Sequence, residues 1–508
     1  MIKNIKLLFL VSMTFIACNN DDEEVVKYNT SDGLPPTAGT ANFAKFVSLG
    51  NSLTAGYSDG ALFIDGQKVS YTNILAQQFV TVGGGEFKTP FMADNIGGFK
   101  INGTVFSGAR FASTGGAAPA PVAGTPSTEI LTSIAAAGPY NNCGVPGAKS
   151  FHLLSPSYGS AAGISLGTAN PYYVRFAPNA TTSVLSYAVS QTPTFFSLWI
   201  GNNDVLGYST SGGDGTNPIT PSAGPAGVGF DASYDAIVNT LTAATPKGVI
   251  ANIPYVNSLP FFTFVATNPV PLNATQVASL NQLWGGLNAI LASAAQPARF
   301  QTLTVSATNP LLIADDMLAY NATALFTAAL QMAPFNFPPA TAGFLGTLYG
   351  RARHASAAAA TRDFVVLSSA GTIGTAQPGF PPNNSTIGVT YPMEDKAILS
   401  AGEAALVKTA TDAYNVKIKA VATAKGLAFV DANALLARVS SGGISANGFT
   451  VTGAFITGGG FSTDGVHPSP RGYALIANEF IKSINTTYGS NLKGVDLGNY
   501  RILFPRSL

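Results

Sequence analysis

Two short fragments of this chain carry residue types that can act on one another: Gly50-Asn51-Ser52-Leu53 and, far downstream, Asp464-Gly465-Val466-His467-Pro468. A serine hydroxyl is a weak nucleophile until an imidazole takes its proton and a third group holds that imidazole in place. His467 and Asp464, three residues apart, supply the base and its orienter. The chemistry they point to is nucleophilic attack on a carbonyl carbon. It also needs hydrogen-bond donors aimed at the oxyanion that develops. Two segments between the fragments offer them. Gly201-Asn202-Asn203-Asp204 is a tight turn presenting a side-chain amide, and Asn142-Cys143-Gly144-Val145-Pro146-Gly147-Ala148 is a glycine-bearing turn whose backbone N–H can approach a ligand closely.

The elements that must position these groups are read from periodicity. Phe46-Val47-Ser48-Leu49 is a short buried strand, and Gly50 permits a sharp turn that lifts Ser52 out of the sheet, exposed on a strand-to-loop turn. Residues 195–200, 248–255 and 427–431 read as further strands. Helical spacing recurs over residues 234–241 and around Leu406, Val407, Ala410, Tyr414, Ile418 and Val421, with Gly426 as the stop. It recurs again in Tyr473, Ile476, Ala477, Phe480, Ile481 and Ile484, where Ser469-Pro470 supplies an N-cap and a first helical residue. His467 is thus expected on the loop leading into a packed terminal helix. Alternating strands and helices predict an α/β fold, a parallel sheet covered by helices on both faces, with reactive groups at the carboxyl ends of the strands. Residues from about 258 to 392 read as an insertion, including one amphipathic helix with Val277, Leu280, Leu283, Trp284, Leu287, Ile290 and Leu291 in register.

Each fragment taken singly is an ordinary turn sequence; their order is what distinguishes them. In that order they resemble the signature blocks of the SGNH hydrolases, the GDSL esterase and lipase family. Residues 46–56 are similar to the nucleophile block, 144–148 to the glycine block, 201–204 to the Gly-x-Asn-Asp block and 464–467 to the terminal block. The resemblance implies a flavodoxin-like, three-layer α/β/α fold with a parallel sheet and long inserted loops, spanning residues 42–490. It implies Ser52 as nucleophile, His467 as base and Asp464 as orienter. The implied oxyanion hole is the Ser52 N–H, the Gly147 N–H and the Asn203 amide, with Gly144 the neighbouring alternative to Gly147. The implied activity is hydrolysis of carboxylic esters through an acyl-serine intermediate, with no cofactor and no metal.

A lipid or other acyl ester is the expected substrate, and Phe261, Phe262, Phe264, Phe335 and Phe337 in the inserted loops fit an apolar acyl group. Removing acetyl groups from glycans is a second activity open to the same machinery. A third reading, of another class, is an inactive surface binding lipoprotein; its support is Asn51, which stands where the family usually has aspartate. His152 and His354 lack the Asp-x-x-His context and are read as non-catalytic.

The N-terminus adds an address. Lys3 and Lys6 precede an apolar run over residues 7–17, shorter than the roughly 20 residues a bilayer-spanning helix needs, so it reads as a secretory signal. Ile16-Ala17-Cys18 resembles the end of a bacterial lipoprotein signal, which implies loss of residues 1–17 and membrane attachment through lipid on Cys18; ordinary cleavage nearby, giving a secreted or periplasmic protein, is the alternative. The acidic run Asn19-Asn20-Asp21-Asp22-Glu23-Glu24 resembles the tether of surface-exposed outer-membrane lipoproteins. Residues 18–41 then read as a tether and linker, and 491–508 as a C-terminal tail. With Cys18 lipidated, Cys143 has no partner and no intrachain disulfide is expected. A net charge of +1 with only 10% charged residues argues against a nucleic-acid partner. Three histidines and two cysteines form no cluster with metal spacing.

Overall fold

The computed structural model describes residues 32–115 and 118–508. The segment read as a signal, Cys18 and the acidic run after it lie outside the described residues. Five short runs make the central sheet: β1 (Phe46–Gly50), β2 (Asn142–Gly144), β3 (Phe195–Trp199), β4 (Gly248–Ala251) and β5 (Ala428–Val430). Their order is β5-β4-β3-β1-β2, and every pairing in the sheet is parallel. Strands buried on both faces need near-continuous apolar sequence, which is why FVSLG and FFSLW are buried at each position.

The chain's helices include α1 (Ser52–Ala55), α2 (Tyr71–Val80), α3 (Val184–Ser190), α4 (Asn203–Thr210), α5 (Phe230–Ala244), α6 (Ala274–Ser293), α7 (Thr323–Leu330), α8 (Pro339–Tyr349), α9 (Ala401–Lys425), α10 (Ala432–Ser441) and α11 (Pro470–Tyr488), of which α6, α7 and α8 belong to the insertion. On one face, Phe46 of β1 meets Phe79 of α2, and Trp199 of β3 meets Phe480 of α11. Helices α2 and α11 close that layer through Tyr71 and Phe480, whose rings lie 4.7 Å apart. Helices α3, α5 and α9 pack together on the other face. The chain is therefore an α/β protein with helices on both sides of an all-parallel sheet.

A second hydrophobic cluster lies between residues 270 and 398, separate from the core of the sheet. Trp284 of α6 is its centre, stacked on Phe300 at 4.9 Å and edge-on to Tyr349 of α8. The amphipathic period expected for α6 places Leu280, Trp284, Leu287, Ile290 and Leu291 in this core. Phe335 and Phe337 pack against the same core and Phe262 is buried, so three of the five phenylalanines read as acyl-facing have other work.

The terminal segments are built into the body. Thr40 N–H donates to the Tyr488 carbonyl and Asn491 N–H to the Thr37 carbonyl, so part of the segment read as linker caps the end of α11. In the segment read as a tail, Leu492 and Leu497 are fully buried and Phe504 packs edge-on against Phe63.

Two strand boundaries differ from the sequence reading. The run expected to reach residue 255 leaves the sheet after Ala251, shortly before Pro254, whose missing N–H cannot extend a ladder. The turn expected over residues 142–148 begins as strand β2, whose polar first residue hides it: Asn142 Nδ2 donates to the Thr54 carbonyl and to Thr72 Oγ1.

Candidate active site

The sheet register decides which loops meet. Gly50 lies opposite both Gly144 and Trp199, so β1, β2 and β3 end side by side. The residues that follow each end are Ser52, Gly147 and Asn203. The sheet order reverses direction at this point, where open α/β sheets leave a crevice beyond the strand ends.

Ser52 is the first residue of α1 and is only 7% exposed. It was expected exposed on a strand-to-loop turn; the strand instead runs directly into a helical turn packed down over β2. Gly144 makes that packing possible, since a Cβ there would lie 2.3 Å from the Ala55 backbone nitrogen. Asn51 caps α1, its Oδ1 accepting the Leu53 N–H at 3.0 Å while its Nδ2 donates to Asn202 Oδ1 at 3.0 Å.

His467 arrives from 415 residues downstream with Nε2 2.9 Å from Ser52 Oγ. Its Nδ1 lies 2.8 Å from Asp464 Oδ2. A carboxylate only accepts, so the ring proton sits on Nδ1 and the Nε2 lone pair faces the serine hydroxyl. Asp464 is saturated with donors. Its Oδ1 accepts the N–H groups of Val466 and His467 and the Ser462 hydroxyl, and its Oδ2 also accepts the Gly60 N–H. Burial by itself would raise this carboxyl, but the His467 ring beside it and the converging hydrogen bonds outweigh burial and hold it down at about 2.

The loop that carries Asp464 and His467 is fastened to the segment just after α1. Thr463 donates its N–H and its hydroxyl to Asp59 Oδ1 at 3.0 and 2.7 Å, and Asp59 N–H donates to Ser462 Oγ at 2.9 Å. Ser58 Oγ donates to the Pro468 carbonyl, and the Tyr57 ring lies 4.6 Å from the His467 ring. Burial pushes Asp59 up to about 6 against the hydrogen bonds from Thr463. Tyr57, Asp59 and Ser462 are positioning residues that sequence reasoning missed. Their only signal is polar residues close behind Ser52 and close ahead of Asp464.

The two glycine candidates separate cleanly. Gly144 N–H already donates to Asn142 Oδ1 at 2.9 Å within a buried strand. Gly147 is exposed, has φ +81°, and its N–H takes no partner among the described residues. Asn203 opens α4, and its Nδ2 donates to the Ala148 carbonyl at 2.9 Å, leaving its second amide hydrogen unengaged among the described residues. The buried carboxylate of Asp204 ties the same two turns, accepting Ser150 N–H at 2.8 Å and Ser150 Oγ at 2.7 Å. Its own burial raises it to about 6. Ser52, Gly147 and Asn203 thus stand on turns that are hydrogen-bonded to one another.

Beside Leu53 and Val466 lies an apolar cavity of about 80 Å³, walled also by Trp199, Leu436, Pro468 and Ile476. The insertion reaches the base loop at its near edge, where Phe261 N–H donates to the Gly465 carbonyl at 2.9 Å. His152 and His354 lie elsewhere. His152 Nδ1 accepts the Lys149 N–H and His354 Nδ1 accepts the Gln301 N–H, and burial lowers both rings to about 4. Cys143 is a free, buried thiol on β2, raised by desolvation.

Taken together, the arrangement can deprotonate Ser52 Oγ through His467 and hold a ring cation against Asp464. No family model matches this chain, and no curated protein or solved structure does.

Proposed function

We propose that the protein is a serine-dependent carboxylic ester hydrolase of the SGNH type, working through an acyl-serine intermediate. The observation that carries this reading is the unbroken relay of 2.9 Å from Ser52 Oγ to His467 Nε2 and 2.8 Å from His467 Nδ1 to Asp464 Oδ2. Strand order 2-1-3-4-5, that of flavodoxin-like sheets, and the placing of all four sequence blocks at one sheet edge support the family reading.

In this mechanism Ser52 Oγ attacks the ester carbonyl carbon as His467 Nε2 takes its proton. The carbonyl oxygen becomes an oxyanion received by the N–H groups of Ser52 and Gly147 and by Asn203 Nδ2. Collapse of the intermediate breaks the carbon–oxygen bond to the leaving alcohol, which leaves with the proton from His467. Water, deprotonated by the same ring, then attacks the acyl-serine and releases the acid. Asp464 keeps the ring in one tautomer and stabilises its charged form throughout.

The apolar cavity walled by Leu53 and Val466, the neighbours of Ser52 and His467, supports an ester with an apolar group. A catalytically inactive binding protein would have no need of a relay this well oriented, and both polar atoms of Asn51 are used in holding the site together. The N-terminal signal and a lipid on Cys18 add membrane attachment to the same proposal. The test is reaction with a fluorophosphonate probe and turnover of short and long p-nitrophenyl esters. Labelling confined to Ser52 together with ester turnover is expected; neither labelling nor turnover would overturn the assignment.

A further inference from the structure

Away from Ser52, three carboxylates from distant parts of the chain converge. Asp316 follows the insertion strand Leu312–Ala314, Asp395 opens the short turn Asp395–Ala397, and Glu403 lies in the first turn of α9. One oxygen of each lies within 4.8 Å of the others. Among the described residues no basic side chain forms an ion pair with any of the three. Lys396 is paired with Glu394 at 2.7 Å, and Arg351 Nη1 donates to the backbone carbonyls of Asp316 and Leu318.

Glu403 makes this cluster different from an ordinary acidic surface. The residue is 1% exposed, and its Oε2 accepts the Ser400 N–H at 2.7 Å in a capping box. Its other oxygen, Oε1, is buried with no hydrogen-bond partner among the described residues. The carboxylate is pressed against Gly213, where a Cβ would lie 2.2 Å from Oε1. A buried acceptor left without a donor costs on the order of 1–3 kcal/mol. A bound cation would remove that cost and offset the mutual repulsion of the three charges.

We propose that Asp316, Asp395 and Glu403 bind a calcium ion that fastens the insertion to the sheet domain. The donors are all hard oxygens, the set that calcium and magnesium prefer. Calcium takes roughly six to eight oxygens at about 2.3–2.6 Å in flexible geometry, whereas magnesium demands near-ideal octahedral geometry at about 2.0–2.1 Å. Three carboxylate oxygens within 4.8 Å of one another, brought from three separate segments, fit the more tolerant ion. Two of the ligands lie in or beside the insertion's own core, and the third is on α9, which packs against α4, the helix that opens with Asn203. The ion would join those parts at the point where the loop after α4 touches Glu403.

The full chain, stripped with chelator and dialysed, is titrated with calcium chloride or magnesium chloride while its melting temperature and heat of binding are read. Calcium is expected to raise the melting temperature saturably by a few millimolar and more than magnesium does. Glu403→Gln keeps an acceptor for Ser400 N–H, and Asp316→Asn changes an exposed residue; each should weaken calcium binding about tenfold or more. No binding and no thermal shift would overturn the proposal, as would a shift that both variants retain in full. Fluorophosphonate labelling of Ser52 is read separately, so failure of the calcium site leaves the hydrolase reading standing.

Discussion

The side-chain amide of Asn51 donates to the side-chain carbonyl of Asn202 across 3.0 Å, locking the residue before Ser52 to the residue before Asn203. The same Asn51 accepts from Leu53 N–H and is 1% exposed. A carboxylate here could still cap α1, but it could only accept from Asn202, whose amide would have to turn to present its NH2. Asn51→Ala should cost about 2 kcal/mol, the sum of a lost N-cap and a buried Asn202 oxygen left without a donor. Urea unfolding measures this, and the rate of fluorophosphonate labelling should fall in the same variant.

Asn203 offers one amide hydrogen to the Ala148 carbonyl and has a second to give. If that second hydrogen meets the oxyanion, Asn203→Ala lowers kcat by roughly 10²–10³ with little change in KM. Steady-state kinetics on p-nitrophenyl acetate decide it. An unchanged kcat would remove Asn203 from the oxyanion hole.

Gly144 and Gly147 should fail in different ways when changed to alanine. At Gly147 a Cβ meets nothing nearer than Asn170 Nδ2 at 3.9 Å, but φ +81° costs an alanine roughly 1–2 kcal/mol and turns the N–H away. The expected result is a folded protein with depressed turnover. At Gly144 the added carbon strikes the α1 backbone, and the loss should appear first as a lowered melting temperature. Equal melting temperatures for the two variants would contradict this division.

Asp464 contributes to the acid limb of stability. Its carboxyl is held at about 2 in the folded chain against an unfolded value near 3.9, so its contribution is complete above about pH 4 and is lost as pH falls through 2. Asp464→Asn has no such carboxyl to titrate. The stability difference between the two proteins, measured by urea midpoints from pH 6 downward, should therefore shrink between about pH 4 and 2. A difference constant over that window would mean that Asp464 is not held in its ionised form.

What could be read from the sequence, and what could not, follows from the range of the interactions involved. β1 and β3 are legible because burial on both faces demands unbroken apolar runs, and α11 because Ser469 and Pro470 mark its start. β2 is not legible. It is three residues long, and its Asn142 is polar because its side chain serves α1 and α2 rather than water. Ser52, Gly147, Asn203, Asp464 and His467 all carry local turn signals, whereas Asp59 belongs to the site through Ser462 and Thr463, more than four hundred residues away. The burial of Ser52 was missed for the same reason, since the elements packed around it come from remote segments. Asp316, Asp395 and Glu403 share no spacing that a motif could record.

The fastening of Thr463 and Asp464 to Asp59 and Gly60 also has a consequence for the order in which the protein becomes competent. Ser52 and its strand are made early, and His467 follows 415 residues later, which at about 5–20 residues per second is roughly 20 to 80 s of synthesis. Until the last loop docks on the segment behind α1, Ser52 is an ordinary alcohol. On the proposed mechanism, a growing chain therefore carries no armed nucleophile, and reactivity is switched on by completion of the polypeptide itself.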